Sequence, residues 1–344
     1  MTTSERELTE PVDLCTADGA SLNPAARGWS RRPLHRANLH GRAGTNKRWD
    51  YWAILAGDLV VSSVYSDVDQ FGLADVYWVD LVSTESGGRA IVVPPHEGIE
   101  LPEVPGSAPL VVDRDGLDLR ITDDGTGTRL TATWTERDGR PGRLDVLVAL
   151  PEGHESLNVV IPWSDELFNF TSKQQARPAA GELMVGDRKW TIGGAAGAEA
   201  WGVLDVGRGR WPAQINWNWG GGAGRCGDHV VGLQVGAKWT EGTGFTENGL
   251  IVDGRLSKLG AELVWDYDWD DPMRPWHVID PGGQLDAILT PRYDKHSKVD
   301  VRPDLGSETH QVFGTWSGQL VDDDGLTLRF DGLQGFAEEA RQRW

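Results

Sequence analysis

The sequence predicts an all-β protein: two barrel-like domains in tandem, closed by a short C-terminal helix. Three observations lead there. Short segments of alternating apolar and polar residues, rich in β-branched side chains, recur along the 344 residues. Asp-Gly and Gly-Asp pairs punctuate them, and Asp-Gly between alternating segments signals a hairpin, because a type I′ turn needs positive φ at both central positions. Helical periodicity is nearly absent; only Phe336–Trp344, with Ala337, Glu338, Glu339 and Ala340, has the composition of a helix.

Taken in order, residues 1–28 read as an irregular arm, with turn signals at Asp18-Gly19 and Asn23-Pro24. Arg27, Arg31, Arg32, His35, Arg36, His40 and Arg42 make a basic stretch that fits a solvated strap neutralising a carboxylate-rich face. The first barrel is expected over 29–170. Its strands are Leu59–Tyr65, Asp75–Val82, Ala90–Val93, Gly116–Thr122, Arg129–Thr135 and Leu144–Leu150, divided by Gly57-Asp58, Asp115-Gly116, Asp124-Gly125 and Asp138-Gly139. Residues 151–177 break the rhythm and read as the crossover to a second barrel over 171–344. An internal repeat accompanies this division. Trp49-Asp-Tyr-Trp52 precedes Gly57-Asp58 and a β-branched strand, and Trp217-Asn-Trp219 precedes Gly227-Asp228 and another.

Composition narrows the partners. Hydrophobic content of 39% and charged content of 25% are those of a soluble globular chain. Tryptophan stands out, with 17 residues against 7 Phe and 5 Tyr. Buried indoles need a partner for their N–H, which places them at cavity walls, interfaces and barrel ends. A net charge of −19 opposes binding to phosphate backbones and anionic lipid, so no nucleic-acid partner is expected. Cys15 and Cys226 lack metal-site spacing and exclude a disulfide framework. No signal-like apolar region follows the acidic N-terminus, and no run approaches the ~18 apolar residues of a membrane span, so the expected location is cytoplasmic, without membrane insertion.

The unusual residues concentrate between Trp201 and Leu259. On the strand Ala213–Trp219, alternation puts Ile215, Trp217 and Trp219 on one face and Gln214, Asn216 and Asn218 on the other. Either the Trp face is core and the amides are solvated, or the amides, leading into the Gly-rich loop Gly220–Gly224, orient a polar group in a cavity. A two-residue loop at Asp253-Gly254 sets Val252 opposite Arg255, Ile251 opposite Leu256 and Gly249 opposite Lys258. Glu247 and Lys258 then share a face as diagonal neighbours, forming a surface ion pair or a paired acid and base at a cavity wall. Asp205 and Arg208 make another candidate pair, with Arg208 in a Gly-rich bend suited to forking onto backbone carbonyls. No metal, P-loop, dinucleotide or nucleophile-elbow motif occurs, so neither metal nor cofactor is expected.

The ordered phrases Gly28-Trp-Ser-Arg-Arg-Pro33, Lys47-Arg-Trp49, Phe168-Asn-Phe-Thr-Ser-Lys173, Leu204-Asp-Val-Gly-Arg208, Trp217-Asn-Trp219, Thr246-Glu-Asn248, Asp253-Gly-Arg-Leu-Ser-Lys-Leu259 and Phe336-Ala-Glu-Glu339 resemble a bacterial family known as domain of unknown function 2804. The family name implies no activity. More distantly, the tandem plan is similar to lipocalin-like proteins that include carotenoid hydratases and tocopherol cyclases. That resemblance implies lipocalin-like barrels and a small apolar or amphipathic ligand; the hydratases' acid and tyrosine motifs are not matched here.

Together these readings give Glu247 and Asp205 as candidate acid/base residues. Trp217, Asn218, Trp219, Lys258, Arg208, Lys173 and Asn248 are the candidate ligand-binding residues, the last two because they lie in family-like phrases. The expected function is cofactor-independent hydration, cyclisation or isomerisation of an apolar or isoprenoid-like molecule. A non-catalytic carrier and a carbohydrate-active protein are the alternatives.

Overall fold

Two antiparallel meanders, each wound back onto its own first strand, make up the computed structural model, which describes residues 3–343 apart from Ala43, His96, Ala196, Pro303 and Asp304. Along the first sheet the strand order is Ser86–Val93, Gly72–Asp80, Leu59–Asp67, Lys47–Ala56, Trp201–Arg210, Phe168–Val185, Pro141–Ala149, Gly127–Thr135, Leu117–Asp123 and Leu110–Arg114. The second runs Arg255–Leu259, Asn248–Val252, His229–Ala237, Gln214–Cys226, Thr327–Arg343, Leu305–Val321, Leu285–Arg302, Trp276–Ile279 and Val264–Asp266. Each meander opens on a Gly-Asp hairpin, pairing Ala56 with Leu59 and Cys226 with His229. In each, the opening strand also pairs with the last strand of its own sheet. The repeated phrase therefore falls at the same point of both sheets.

Turn chemistry sets the register. Asp115-Gly116 turns with φ of 51° and 79°, and Asp253-Gly254 with 49° and 82°, both residues left-handed as a type I′ turn requires. Curling buries Trp52, Ile54, Leu119 and Val146 inside the first barrel and Trp276, Trp316, Val235 and Leu289 inside the second. The Glu136 carboxylate ties the first barrel shut, accepting from Trp78 Nε1 at 2.7 Å, Trp134 Nε1 at 2.8 Å and Gly88 N at 3.0 Å. A third apolar layer forms where the sheets meet: Ala53, Leu55 and Val203 pack with Trp219, Phe313 and Phe336.

Several expectations are corrected. The C-terminal helix is a strand, Thr327–Arg343, and Trp344 lies outside the described residues. Glu338 and Glu339, at 7% and 2% exposure, point to opposite faces, and both faces are covered. Pairing on both edges and packing on both faces outweigh the helix propensity of Ala and Glu, which is worth only tenths of a kcal/mol per residue. Residues 151–177 are not a crossover: Leu157–Pro162 and Phe168–Val185 are strands of the first sheet. Their doubly buried faces erase the alternation. The chain changes sheets across Trp211–Ala213, so residues 171–210, expected in the second barrel, lie in the first sheet. Gly220–Gly224 is strand rather than loop, and a Cβ on Gly222 would stand 2.8 Å from Trp316 Cδ1, so the ring fills that space.

The arm wraps the outside. Leu14, Cys15, Leu22 and Ala26 pack on Val160, Phe168 and Phe170. The basic stretch is paired with carboxylates, Arg27 with Asp165, Arg36 with Asp13 and Glu103, and Arg42 with Glu166. Among the described residues no helix is long and apolar enough to cross a membrane.

Candidate functional site

Directly opposed residues of antiparallel strands share a face. Tyr51, Asp205 and Lys173 therefore form one row across the outer wall of the first barrel, and Trp49, Gly207 and Thr171 form the next. Gly207 is needed there, since a Cβ would lie 2.0 Å from the Trp49 ring. From the second sheet, Trp217, Trp219 and Glu338 face this wall, Trp219 and Glu338 as direct partners. Glu247 reaches it from the segment before Asn248–Val252, over Gly236, where a Cβ would stand 2.1 Å from its Oε1.

Charges meet at this seam. Lys173 Nζ lies 2.9 Å from Asp205 Oδ1, 3.1 Å from Glu247 Oε2 and 4.5 Å from the Trp219 ring centroid. Asp205 also accepts from Thr171 Oγ1 and Trp49 Nε1, both at 3.1 Å. Glu247 Oε1 accepts from Trp239 Nε1 at 2.6 Å, while Oε2 has the Lys173 charge nearby but no donor in hydrogen-bond geometry. Glu338 Oε1 accepts from Trp217 Nε1 at 2.8 Å.

Burial pushes Glu247 up to about 7; Lys173 counteracts this and the Asp205 charge adds to it. Burial likewise pushes Glu338 up to about 7, against the Trp217 hydrogen bond and Lys173. Lys173 itself is raised: its burial opposes the charge, but Asp205 and then Glu247 outweigh that. Asp205 and Glu247 thus share the Lys173 ammonium, while Glu338 feels Lys173 and Lys295, and burial favours the protonated form of both glutamates.

Indoles roof the charges. Trp211 stacks on Trp239 with centroids 5.1 Å apart and planes 9° from parallel. It also meets Trp163, Trp49 and Trp217 at 5.1, 5.4 and 5.6 Å. Its own Nε1 is buried without a partner. Trp211 sits half-buried on the segment that carries the chain between sheets, against the three indoles that donate to Asp205, Glu338 and Glu247.

Of the residues singled out from sequence, Glu247, Asp205, Lys173, Trp217 and Trp219 converge here. The others do not. Lys258 pairs with Glu5 of the arm at 2.7 Å, not with Glu247, although the hairpin has the expected register with Gly249 opposite Lys258. Arg208 points into the first barrel and holds Asp50 at 2.7 Å and the Trp49 carbonyl at 2.6 Å, because Asp205 and Arg208 lie three apart on a strand and face opposite ways. Asn218 faces the interior of the second barrel, donating to Tyr267 Oη at 3.0 Å, so the amide face and the Trp face do not meet. Asn248 braces backbone, accepting from Gly236 N at 2.6 Å. Sequence reasoning missed Trp49, Trp163, Trp211, Trp239 and Glu338 as site residues. Glu338 lies inside the phrase Phe336–Glu339, whose Ala and Glu content predicts helix where the structure has a strand.

Two further features frame the site. The first barrel holds a cavity of about 670 Å³, open to solvent among its loops, on the other side of the wall that carries Lys173 and Asp205. Near the far end of the second sheet, His296, Glu308 and His310 hold ligand atoms within 4.8 Å of one another, a grouping hidden in sequence because it depends on the cross-strand pairing of His296 with His310. Each already has a protein partner: His310 has Asp294, and Glu308 has His296 and Lys298.

The fold and seam define a class: a double β-barrel chain with a buried acid cluster between its barrels. The chain belongs to the family described as "Domain of unknown function (DUF2804)", whose model matches residues 5–344. No curated protein matches it. Among solved structures it is similar to kievitone hydratase from Nectria haematococca, at 12% identity and a TM-score of 0.50, covering 88% of this chain and 90% of that one. It is also similar to a putative AttH from Nitrosomonas europaea, at 10% identity and 0.49, covering 86% and 92%. CghA with Sch210972 matches at 12% and 0.45, covering 87% and 89%. The likeness to kievitone hydratase is one of fold.

Proposed function

We propose that this protein is a cofactor-independent acid–base enzyme that hydrates, cyclises or isomerises a small apolar or amphipathic molecule at the seam between its barrels. The observation that carries this reading is Glu247: a carboxyl group 1% exposed, raised to about 7, hydrogen-bonded by one indole and roofed by others. A carboxyl with its pKa near the working pH suits proton donation. Glu247 would protonate an alkene or similar group of the ligand, and the developing cation would rest against the faces of Trp239, Trp211 and Trp217. In a hydration, water then adds to the cation and returns a proton to the Glu247 carboxylate, leaving the enzyme unchanged. Lys173 and Asp205 hold the carboxyl in place, and Trp211 must swing with its connecting segment to admit the ligand. The name of the hydratase relative agrees with this reaction class.

The carrier reading keeps one specific support, the first-barrel cavity, which Glu247 does not line. The carbohydrate reading needs two carboxylates across an open groove; Glu247 and Asp205 are instead buried on one ammonium. The test is to identify by mass spectrometry a small molecule that co-purifies with the protein, then incubate it with the protein in deuterated water. Deuterium uptake or water addition by the wild type, lost in Glu247→Gln, supports the enzyme. A molecule released unchanged, identically by both proteins, supports the carrier.

A further inference from the structure

The first-barrel cavity has a buried cation in its wall. Pairing between Phe168–Val185 and Trp201–Arg210 shifts register between Gln174 and Arg177, and Ala176 takes φ of 57°. Such a bulge re-aims the side chains around it. Here it leaves Arg177, 1% exposed, lining the cavity beside Trp52 and Thr128.

Every partner of this guanidinium is neutral. Nε donates to Ala149 O at 3.0 Å, Nη1 to Gln174 Oε1 at 2.6 Å, and Nη2 to Val148 O at 3.0 Å and Thr128 Oγ1 at 3.3 Å. Guanidinium carries five N–H donors, so one on Nη1 is left over. Among the described residues no carboxylate comes within ion-pair distance of it. Of the three acids on the cavity wall, Asp50 holds Arg208, Asp123 accepts from Thr128 Oγ1 and Gly125 N, and Glu152 is exposed to solvent. Burial pulls Arg177 down to about 10, with only the Asp123 charge opposing. Trp52, whose ring lies 5.3 Å from the guanidinium carbon, adds a buried indole N–H without a partner.

Arg210 supplies the contrast. It too is buried among neutral acceptors, the Asn46 side chain and the carbonyls of Gly19, Ala20 and Gly41. It does not line the cavity, and its contacts account for it as a staple for the arm. Arg177 does line it, on a wall that combines the buried apolar side chains of Leu110, Ile121 and Leu204 with polar ones, among them Ser156 and His154. A buried charge without a counterion is destabilising, and an anion in the cavity would offset that.

We propose that this cavity binds an amphipathic monocarboxylate, its carboxylate between Arg177 Nη1 and the Trp52 indole N–H and its apolar body against Leu110, Ile121 and Leu204. The site is separate from the Glu247 seam and stands or falls without it.

Isothermal titration with decanoate and with decanol tests this. The wild type is expected to bind one decanoate per chain at least tenfold more tightly than decanol. Arg177→Gln should abolish that preference, with circular dichroism checking the fold because Arg177 also holds backbone carbonyls. Trp52→Phe, which keeps the ring and removes the N–H, should weaken decanoate severalfold and leave decanol unchanged. Leu110→Trp, which fills the cavity and leaves Arg177 in place, should block both, while Glu247→Gln should retain the preference. Equal affinities for decanoate and decanol, undiminished decanoate binding by the Leu110→Trp variant, or no decanoate binding by the wild type would overturn the proposal.

Discussion

Lys173 of the first sheet lies 3.1 Å from Glu247 and 2.9 Å from Asp205, so a single ammonium is shared by a carboxylate from each sheet. Removing it leaves Asp205 buried without its cation. Lys173→Met is expected to cost about 3–5 kcal/mol, the range for breaking a buried pair from one side. Urea denaturation followed by tryptophan fluorescence measures this. A loss below about 1 kcal/mol would mean that Asp205 is satisfied by Thr171 and Trp49 alone.

Stability is expected to fall as pH rises from about 5 to about 8. Glu247 and Glu338 have higher pKa values folded than unfolded, so each stabilises the fold while it holds its proton. That contribution is full below the ordinary glutamate value of 4.5 and is lost as pH rises through about 7. At 1.36 kcal/mol per pKa unit, each group accounts for at most about 3 kcal/mol. Denaturation midpoints across this range should decline less steeply in Glu247→Gln and in Glu338→Gln. Curves parallel to the wild type would show that neither group titrates there.

Gly236 should tolerate no side chain. The Cβ of Gly236→Ala would meet Glu247 Oε1 at 2.1 Å and displace the carboxylate from Trp239. Overpacking of this kind costs about 1–3 kcal/mol, and any turnover should drop with it. Thermal denaturation and the tryptophan emission spectrum read both effects; an unshifted spectrum at wild-type stability would contradict the packing.

The arm is predicted to be part of the fold through Glu5 and Lys258, which are 3% and 1% exposed at their side chains. In double-mutant cycles with Glu5→Gln and Lys258→Met, a coupling above about 1 kcal/mol is expected, as for residues in direct contact. The Glu247/Lys258 cycle should couple by less than about 0.5 kcal/mol. The reverse ordering would restore the pairing that the hairpin register alone suggests.

That hairpin marks how far sequence could be read. Asp253-Gly254 carries its own turn geometry, so the facing of Gly249 and Lys258 was legible; the partner of Lys258 was not, because Glu5 arrives from the other end of the chain. Lys173 and Glu247 were each visible in family-like phrases, but their contact depends on two sheets packing together. Strands covered on both faces were the least legible. Leu157–Pro162 showed no alternation, and Phe336–Ala340 looked helical, since local pattern carries no trace of a second buried face. The Trp excess pointed to half-polar walls, and Trp163, Trp211 and Trp239 form one, though spacing alone could not join them.

The protonation of Glu247 is the most direct test. Carbon-13 NMR of glutamate side-chain carboxyls, titrated from pH 4 to pH 9 and assigned with Glu247→Gln and Glu338→Gln, reads it residue by residue. A Glu247 signal with its midpoint near 7 is the predicted result. A Glu247 signal already fully ionised at pH 5 would contradict the account, because a permanently charged carboxylate on Lys173 has no proton to give.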